Sequence, residues 1–194
     1  RRGNQQPRLK RLPRQRSLIN ALGFPSKGMA VVIENLERLR SSGYPKGKPL
    51  VVSVAGLSLE EFQKCHASLE LLADATELNI SSPNTQGLRV FQEQKTFTAL
   101  LESICAQRKK PIFVKVPPFA NPQEQERVLA LVRIAKEWNV DGITATNTRP
   151  VKAPDLALGQ GGLSGSALLE DTLRIVAEVR AEAGPKMAIN ACGG

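Results

Sequence analysis

The chain has 194 residues, of which 41% are hydrophobic and 23% are charged, and these values are ordinary for a globular domain. This composition excludes extensive disorder and fibrous classes, and no apolar stretch reaches the ~18 residues of a membrane-spanning helix. The formal net charge of +9 would by itself suggest a nucleic-acid partner.

The distribution of that charge favours another interpretation. Residues 1–16 carry 7 of the 27 Lys and Arg residues and no acid, whereas residues 17–194 carry 20 basic and 18 acidic side chains. The excess therefore belongs to a basic arm and not to a folded basic face. A solvated arm is the simpler interpretation, although such arms also bind anionic lipid or nucleic acid. The low aromatic content, 4%, offers no platform for base stacking, and we expect no nucleic-acid partner.

Five short apolar or β-branched runs, each bounded by Gly, Pro or polar residues, predict strands that are buried on both faces. They lie at residues 50–55, 77–81, 112–116, 140–146 and 186–191. Helical periodicity precedes and separates them, at residues 28–41, 58–73, 92–108, 122–138 and 166–182. This alternation predicts a parallel sheet, either open and doubly wound or closed as a (β/α)₈ barrel.

Two of the predicted helices carry start signals. Ser58 and Glu61 have the spacing of a capping box at the beginning of the second helix. Asn121 followed by Pro122 predicts an N-cap and a first helical residue for the fourth.

Polar residues collect where the predicted strands end. They are Ser53 and Gly56, residues 79–85, Lys115, residues 146–148 and residues 192–194. Each segment alone is equally typical of an ordinary turn or cap. The carboxyl ends of parallel strands meet at one face, where such proteins place their sites, so we expect these residues to lie together. Amide, ammonium and hydroxyl groups suit a polar, planar, anionic ligand.

Six segments carry a family resemblance that extends over the whole chain. They are PRLKRLPRQRSLINALGF (7–24), LNISSPNTQGLRVFQ (78–92), PIFVKVPP (111–118), DGITATNT (141–148), GGLSGSAL (161–168) and INACGG (189–194). These segments resemble dihydroorotate dehydrogenases, in particular the class 2, quinone-linked enzymes. The resemblance implies a (β/α)₈ barrel that binds FMN and oxidises dihydroorotate to orotate in pyrimidine biosynthesis, with quinone as the expected acceptor.

The resemblance also implies roles for individual residues. Ser82 matches the base that takes the C5 proton, where class 1 relatives have cysteine, and Thr85 and Phe24 match residues that flank it. Lys115 matches the lysine beside flavin N1 and O2. The positions that match orotate-binding residues are Asn20, Asn79, Asn84, Asn147 and Thr148. The positions that match FMN contacts are Asn79, Lys115, Thr146, Gly165, Gly193 and Gly194, and no metal site is implied.

The sequence departs from the class 2 pattern at several positions. Residues 51–57 (VVSVAGL) look more like class 1, and Ser53 is expected to replace an asparagine contact to FMN. Ala21 stands where class 2 enzymes usually have arginine. We interpret His66 as a surface histidine without a role, and Cys192 matches no family catalytic residue.

Five of the eight strands of a barrel are predicted, so we expect an incomplete barrel over residues 17–194 and a longer parent protein. The helices that associate with the membrane in class 2 enzymes would precede this chain. We therefore expect a cytoplasmic location or a peripheral one at the inner membrane, and little activity from this chain alone. Two alternatives stay open: a class 1-like or other FMN barrel oxidoreductase acting on a related pyrimidine, and an inactive piece whose basic arm binds nucleic acid or membrane.

Overall fold

A computed structural model describes residues 2–43, 47–82 and 87–194 of the chain. The strands are β1 (Leu9–Leu12), β2 (Ser17–Asn20), β3 (Val51–Val54), β4 (Ala75–Asn79), β5 (Ile112–Lys115), β6 (Gly142–Ala145), β7 (Arg149–Lys152), β8 (Gln160–Gly165) and β9 (Ala188–Ala191). The α-helices are α1 (Met29–Ser41), α2 (Leu59–Leu69), α3 (Gln94–Cys105), α4 (Pro122–Glu137) and α5 (Leu169–Ala183). Short 3₁₀ turns cover Pro13–Gln15, Glu70–Leu72, Leu88–Gln92 and Ser166–Leu168.

The main sheet is parallel, with its five strands in the order β3-β4-β5-β6-β9. These are the five strands that the apolar runs predict, and the five α-helices fall within or close to the predicted helical ranges. The predicted α/β architecture, an incomplete (β/α) barrel, is confirmed.

The predicted helix starts are present. Ser58 Oγ accepts a hydrogen bond from the backbone N–H of Glu61 at 3.2 Å, and this caps α2. Asn121 Oδ1 accepts one from the N–H of Glu124 at 2.9 Å, and Pro122 is the first residue of α4. These caps fix the first residues of α2 and α4, which follow the carboxyl ends of β3 and β5.

The main core lies between the helices and one face of the parallel sheet. Leu78, Val114 and Ile143 are fully buried there, in register on three neighbouring strands, and they share one hydrophobic cluster with Phe62 and Phe97. Side chains alternate along a strand, so the intervening residues occupy the opposite face, which is the interior of a barrel. That inner face carries polar groups.

A second sheet of four antiparallel strands, β1-β2-β8-β7, was not expected from the sequence. Its strands read LKRL, SLIN, RPVK and QGGLSG, and basic residues and glycines obscure the alternation that identifies a strand. A small cluster around Ile19 and Leu163 holds it together. The basic arm was predicted to end at residue 16. Strand β1 lies before that position and β2 after it, and the two strands pair as one hairpin.

The interpretation of His66 as a surface residue is wrong, because its side chain is only 4% exposed. His66 shares the buried face of α2 with Phe62 and Leu69, which lie four residues before it and three after it. That spacing is the period of a helix face that packs on a core. In the described parts of the chain, no helix is long and apolar enough to cross a membrane.

Candidate active site at the carboxyl ends of the parallel strands

A chain of hydrogen bonds joins the ends of β4 and β6. Ser81, which is fully buried, donates from Oγ to Asn79 Oδ1 at 2.8 Å. The same Oγ accepts a hydrogen bond from Asn147 Nδ2 at 2.8 Å. Two asparagines predicted to bind substrate are therefore held in one array, and the serine between them is a residue that the sequence reasoning missed.

Ser82, the predicted base, directly follows this array and is 7% exposed. It follows β4, which ends at Asn79, and so it lies at the carboxyl ends of the parallel strands. Asn84 and Thr85, which were predicted to bind substrate and to support a proton path, lie outside the described residues.

Lys115 ends β5 and lies between Asn79 on one neighbouring strand and Thr144 on the other. Its side chain is half-buried, and Nζ lies 3.9 Å from Cys192 Sγ. The backbone of Cys192 exchanges hydrogen bonds with the end of β6: its N–H donates to Ala145 O at 2.8 Å and its carbonyl accepts from Thr146 N at 3.0 Å. The predicted cofactor residues Lys115 and Thr146 thus come together with the end of β9.

Asn20 reaches the site from the second sheet, although it precedes the parallel strands in the chain. Asn20 Nδ2 donates to Gly162 O at 3.4 Å. On the other side of this glycine, a Cβ built at position 162 would lie 1.9 Å from Thr148 Oγ1. Asn20 and Thr148, both predicted to bind substrate, therefore meet at Gly162, which has to lack a side chain.

The three glycines predicted to contact phosphate adopt backbone conformations that favour glycine. Gly165, Gly193 and Gly194 have φ angles of 96°, 123° and 101°. A Cβ at Gly194 would lie 2.6 Å from Cα of Leu169, the first residue of α5. Gly193 and Gly194 therefore pass close to the beginning of a helix, where backbone N–H groups and the helix dipole favour anions.

Ser53 and Phe24 lie away from this array. Ser53 Oγ donates to Glu77 Oε1 at 2.7 Å, so its described partner is a carboxylate on the inner face of β4. Thr144 Oγ1 donates to the other carboxylate oxygen, Glu77 Oε2, at 2.6 Å. Phe24 adopts a φ of 53° and packs, half-buried, against the main core. Glu77 was missed by the sequence reasoning, and an acid inside an otherwise apolar strand was the available signal.

The fold and the site together define an α/β-barrel protein whose polar ligand site lies at the carboxyl ends of parallel strands. The family model described as dihydroorotate dehydrogenase matches residues 1–194, and the chain belongs to this family. It is similar to the "Dihydroorotate dehydrogenase (quinone)" of Sphingopyxis alaskensis, 34% identical over 204 residues and 99% of this chain. It is also similar to the protein of the same name from Thermus thermophilus, 36% identical over 203 residues.

A solved structure gives the same result for the fold. The crystal structure of the ligand-free DHODH of Eimeria tenella superposes with a TM-score of 0.86 over 99% of this chain, at 25% sequence identity. The chain spans 56% and 57% of the length of the two bacterial relatives and 62% of the Eimeria chain.

Proposed function

We propose that this chain supplies part of the active site of an FMN-dependent enzyme that oxidises dihydroorotate to orotate in pyrimidine biosynthesis. The observation that carries the proposal is the hydrogen-bonded array of Asn79, buried Ser81 and Asn147 beside Ser82, in a chain of this family. Paired amides with fixed orientations suit a pyrimidine ring, whose edges alternate hydrogen-bond donors and acceptors.

The groups at the strand ends fit FMN by their chemistry. Asn79 and Thr146 offer amide and hydroxyl groups for the flavin ring, and Lys115 offers a positive charge. Gly193 and Gly194 bring bare backbone to the start of α5, which suits a phosphate. FMN would supply the hydride acceptor that no protein side chain can provide.

The residues of this chain would then bind and orient the substrate and move one proton. Asn79 and Asn147 hold the pyrimidine ring, and Asn20 and Thr148 approach it from the side of Gly162. The Ser82 hydroxyl would take the proton from C5 and pass its own proton on toward solvent, while hydride would leave C6 for the bound flavin, so that a C5–C6 double bond forms. A serine hydroxyl is a weak base, and its burial beside an ordered array limits its access to water.

Lys115 contributes through its charge. With FMN bound, the Lys115 ammonium would favour the uptake of negative charge by the cofactor, and such electrostatic stabilisation is strongest in a site that excludes water. The Lys115 ammonium lies 3.9 Å from the Cys192 thiol, at the same strand ends as Thr146.

We propose a quinone as the electron acceptor, because the relatives at 31–36% identity carry quinone in their names. Peripheral association with the inner membrane, through a region outside this chain, belongs to the same proposal. The class 1-like alternative rests on residues 51–57 and predicts fumarate or NAD instead. Anaerobic flavin reduction followed by addition of each acceptor in turn separates the two, since only the correct acceptor restores the flavin spectrum rapidly.

The central test is a visible absorption spectrum of the purified chain with added FMN, followed by anaerobic dihydroorotate. Where flavin binds, we expect it to bleach with dihydroorotate, slowly because this chain spans only 56–62% of its relatives' length, and to stay oxidised in Ser82→Ala. Ser42→Ala, an exposed serine at the end of α1, is the matched control and should bleach like the unmodified chain. Flavin that binds but does not respond to dihydroorotate would contradict the proposed substrate.

A further inference from the structure

Glu77 is a carboxylate in the barrel interior to which the proposed reaction assigns no role. Glu77 is 8% exposed, and its carboxylate accepts hydrogen bonds from Ser53 Oγ at 2.7 Å and from Thr144 Oγ1 at 2.6 Å. Ser53 lies on β3 and Thr144 on β6, and these two strands flank the pair β4 and β5. The Glu77 side chain therefore connects β3, β4 and β6. Burying a carboxylate costs free energy unless hydrogen bonds and a nearby positive charge compensate for it.

The register of the sheet places this carboxylate beside Lys115. Glu77 pairs with Phe113 on β5, and Lys115 follows two residues later on the same face. Such diagonal neighbours lie within about 7–8 Å, which is inside the reach of long side chains. Thr144 lies directly opposite Lys115 on β6, so the bond from Thr144 to Glu77 carries the carboxylate across β5 next to the lysine side chain.

We propose that Glu77 acts on Lys115 through its charge: held by Ser53 and Thr144, its carboxylate opposes the positive electrostatic potential around Lys115 Nζ, where the ligand lies. This inference rests on the proposed function for the identity of the ligand only. The described partner of Lys115 Nζ is Cys192, and those of the Glu77 carboxylate are Ser53 and Thr144, so the influence of Glu77 acts through space and is present in the chain without ligand. A purely structural carboxylate would brace the sheet without influencing the groups around Lys115 Nζ.

Cys192 provides a probe of that potential, because its exposed thiol lies 3.9 Å from Lys115 Nζ. Thiolate is the form that reacts with iodoacetamide, and positive charge nearby favours it. The other two thiols serve as internal references, because burial raises the pKa of Cys65 and of Cys105 and slows their reaction. Alkylation at each cysteine can be followed by peptide mass spectrometry on the chain without FMN.

The substitution Glu77→Gln keeps the size of the side chain and removes its charge. We expect Cys192 to be alkylated several-fold faster in this variant, because the charge of Lys115 is no longer opposed. Lys115→Gln should slow the alkylation of Cys192. In a chain that already carries Lys115→Gln, the further substitution Glu77→Gln should change the alkylation rate much less than it does in the unmodified chain. The matched control Thr144→Val removes a hydrogen bond but no charge, and it should change the rate less than Glu77→Gln does.

Unchanged alkylation in a folded Glu77→Gln chain would overturn the proposal, and so would equal effects of that substitution with and without Lys115. If Glu77→Gln does not fold, judged by near-UV circular dichroism, Lys115→Gln decides alone, and an unchanged Cys192 rate overturns the proposal. A titration with FMN keeps the two proposals apart. The expected alkylation pattern without flavin binding supports the role of Glu77 and shows that this chain alone does not assemble the FMN site, whereas flavin binding with unchanged alkylation contradicts the role of Glu77.

Discussion

Asn147 Nδ2 lies 2.8 Å from Ser81 Oγ, and this bond joins the ends of two strands that are not neighbours, since β5 separates β4 from β6. The serine hydroxyl passes the bond on to Asn79 Oδ1. On its other side, Asn147 Oδ1 accepts from the N–H of Thr148 at 2.8 Å. The bonds therefore define which end of each amide donates and which accepts, and this orientation is what a pyrimidine-binding site requires.

The first prediction concerns this array. Ser81→Ala removes both side-chain bonds, which are partly buried, although Asn79 Oδ1 still accepts a hydrogen bond from the Ser81 backbone N–H at 3.3 Å. We expect a loss of about 1–2 kcal/mol in the free energy of unfolding, measured by urea denaturation, because each such hydrogen bond contributes about 0.5–1.5 kcal/mol. Ser42→Ala, on the exposed end of α1, should change stability by less than about 0.5 kcal/mol. Equal stability of the two variants would show that the array is not held as described.

The second prediction concerns Gly162. Gly162→Ala places a methyl group against Thr148 Oγ1, so Thr148 has to move, and we expect a loss of about 1–3 kcal/mol in stability together with weaker orotate binding. Gly28→Ala is the control, since Gly28 has a positive φ of 99° but no atom within 4 Å of the added methyl group. It should cost stability through backbone strain and leave orotate affinity unchanged. Isothermal titration with orotate on folded variants separates steric from conformational effects.

The sequence predicts much of the parallel sheet and several residues of the site for a simple reason. Strands buried on both faces appear as short apolar runs, and the polar residues that follow them must lie at one edge if the strands are parallel. Asn79, Lys115 and Asn147 could be grouped in this way without knowledge of the strand order.

Residues that act through pairing across the sheet could not be found in this way. Ser81 and Glu77 depend on partners from β6 and β3, and only the register shows which side chains meet. The antiparallel sheet was missed because its strands are short and rich in Gly, Lys and Arg. His66 was misread because its polar character was given more weight than its helical spacing from Phe62.

The third prediction concerns Asp74, which fixes the chain just before β3. A hydrogen bond from the Leu50 backbone N–H, at 2.7 Å, and the nearby Arg40 hold the pKa of Asp74 below its usual range. The folded state therefore gains stability from this carboxylate above its unfolded pKa, near 4, and loses it as the pH falls through the lower folded value. Asp74→Asn should lower stability at pH 7 by at most about 1 kcal/mol, because the pair is exposed, and should weaken the decline below pH 4.

Thermal unfolding between pH 3 and pH 7 measures this effect. Asp155→Asn removes a more exposed carboxylate that pairs with Lys10. It should leave the acid decline as it is in the unmodified chain. An Asp74→Asn chain with an undiminished acid decline would exclude the proposed contribution of the Leu50 bond.

The fourth prediction concerns His66, whose two ring nitrogens are buried without a hydrogen-bond partner among the described residues. Burial lowers the pKa of His66 below 6.5, and Glu70 Oε1, 3.8 Å away, opposes that shift. The unfolded chain therefore takes up the proton first, so stability is fully present above about pH 6.5 and is lost as the pH falls toward the folded value.

His66→Leu removes both the titrating group and the unpartnered nitrogens. Between pH 7.5 and pH 5.5 we expect the unmodified chain to lose more stability in urea denaturation than His66→Leu does, with most of the difference appearing below pH 6.5. Gln63→Leu changes the cavity that Gln63 and His66 both line, without removing a titrating group, and should keep the pH dependence of the unmodified chain. If the stability of His66→Leu and that of the unmodified chain fall in parallel with pH, then the folded and unfolded states bind the His66 proton equally. Burial would then not hold His66 neutral.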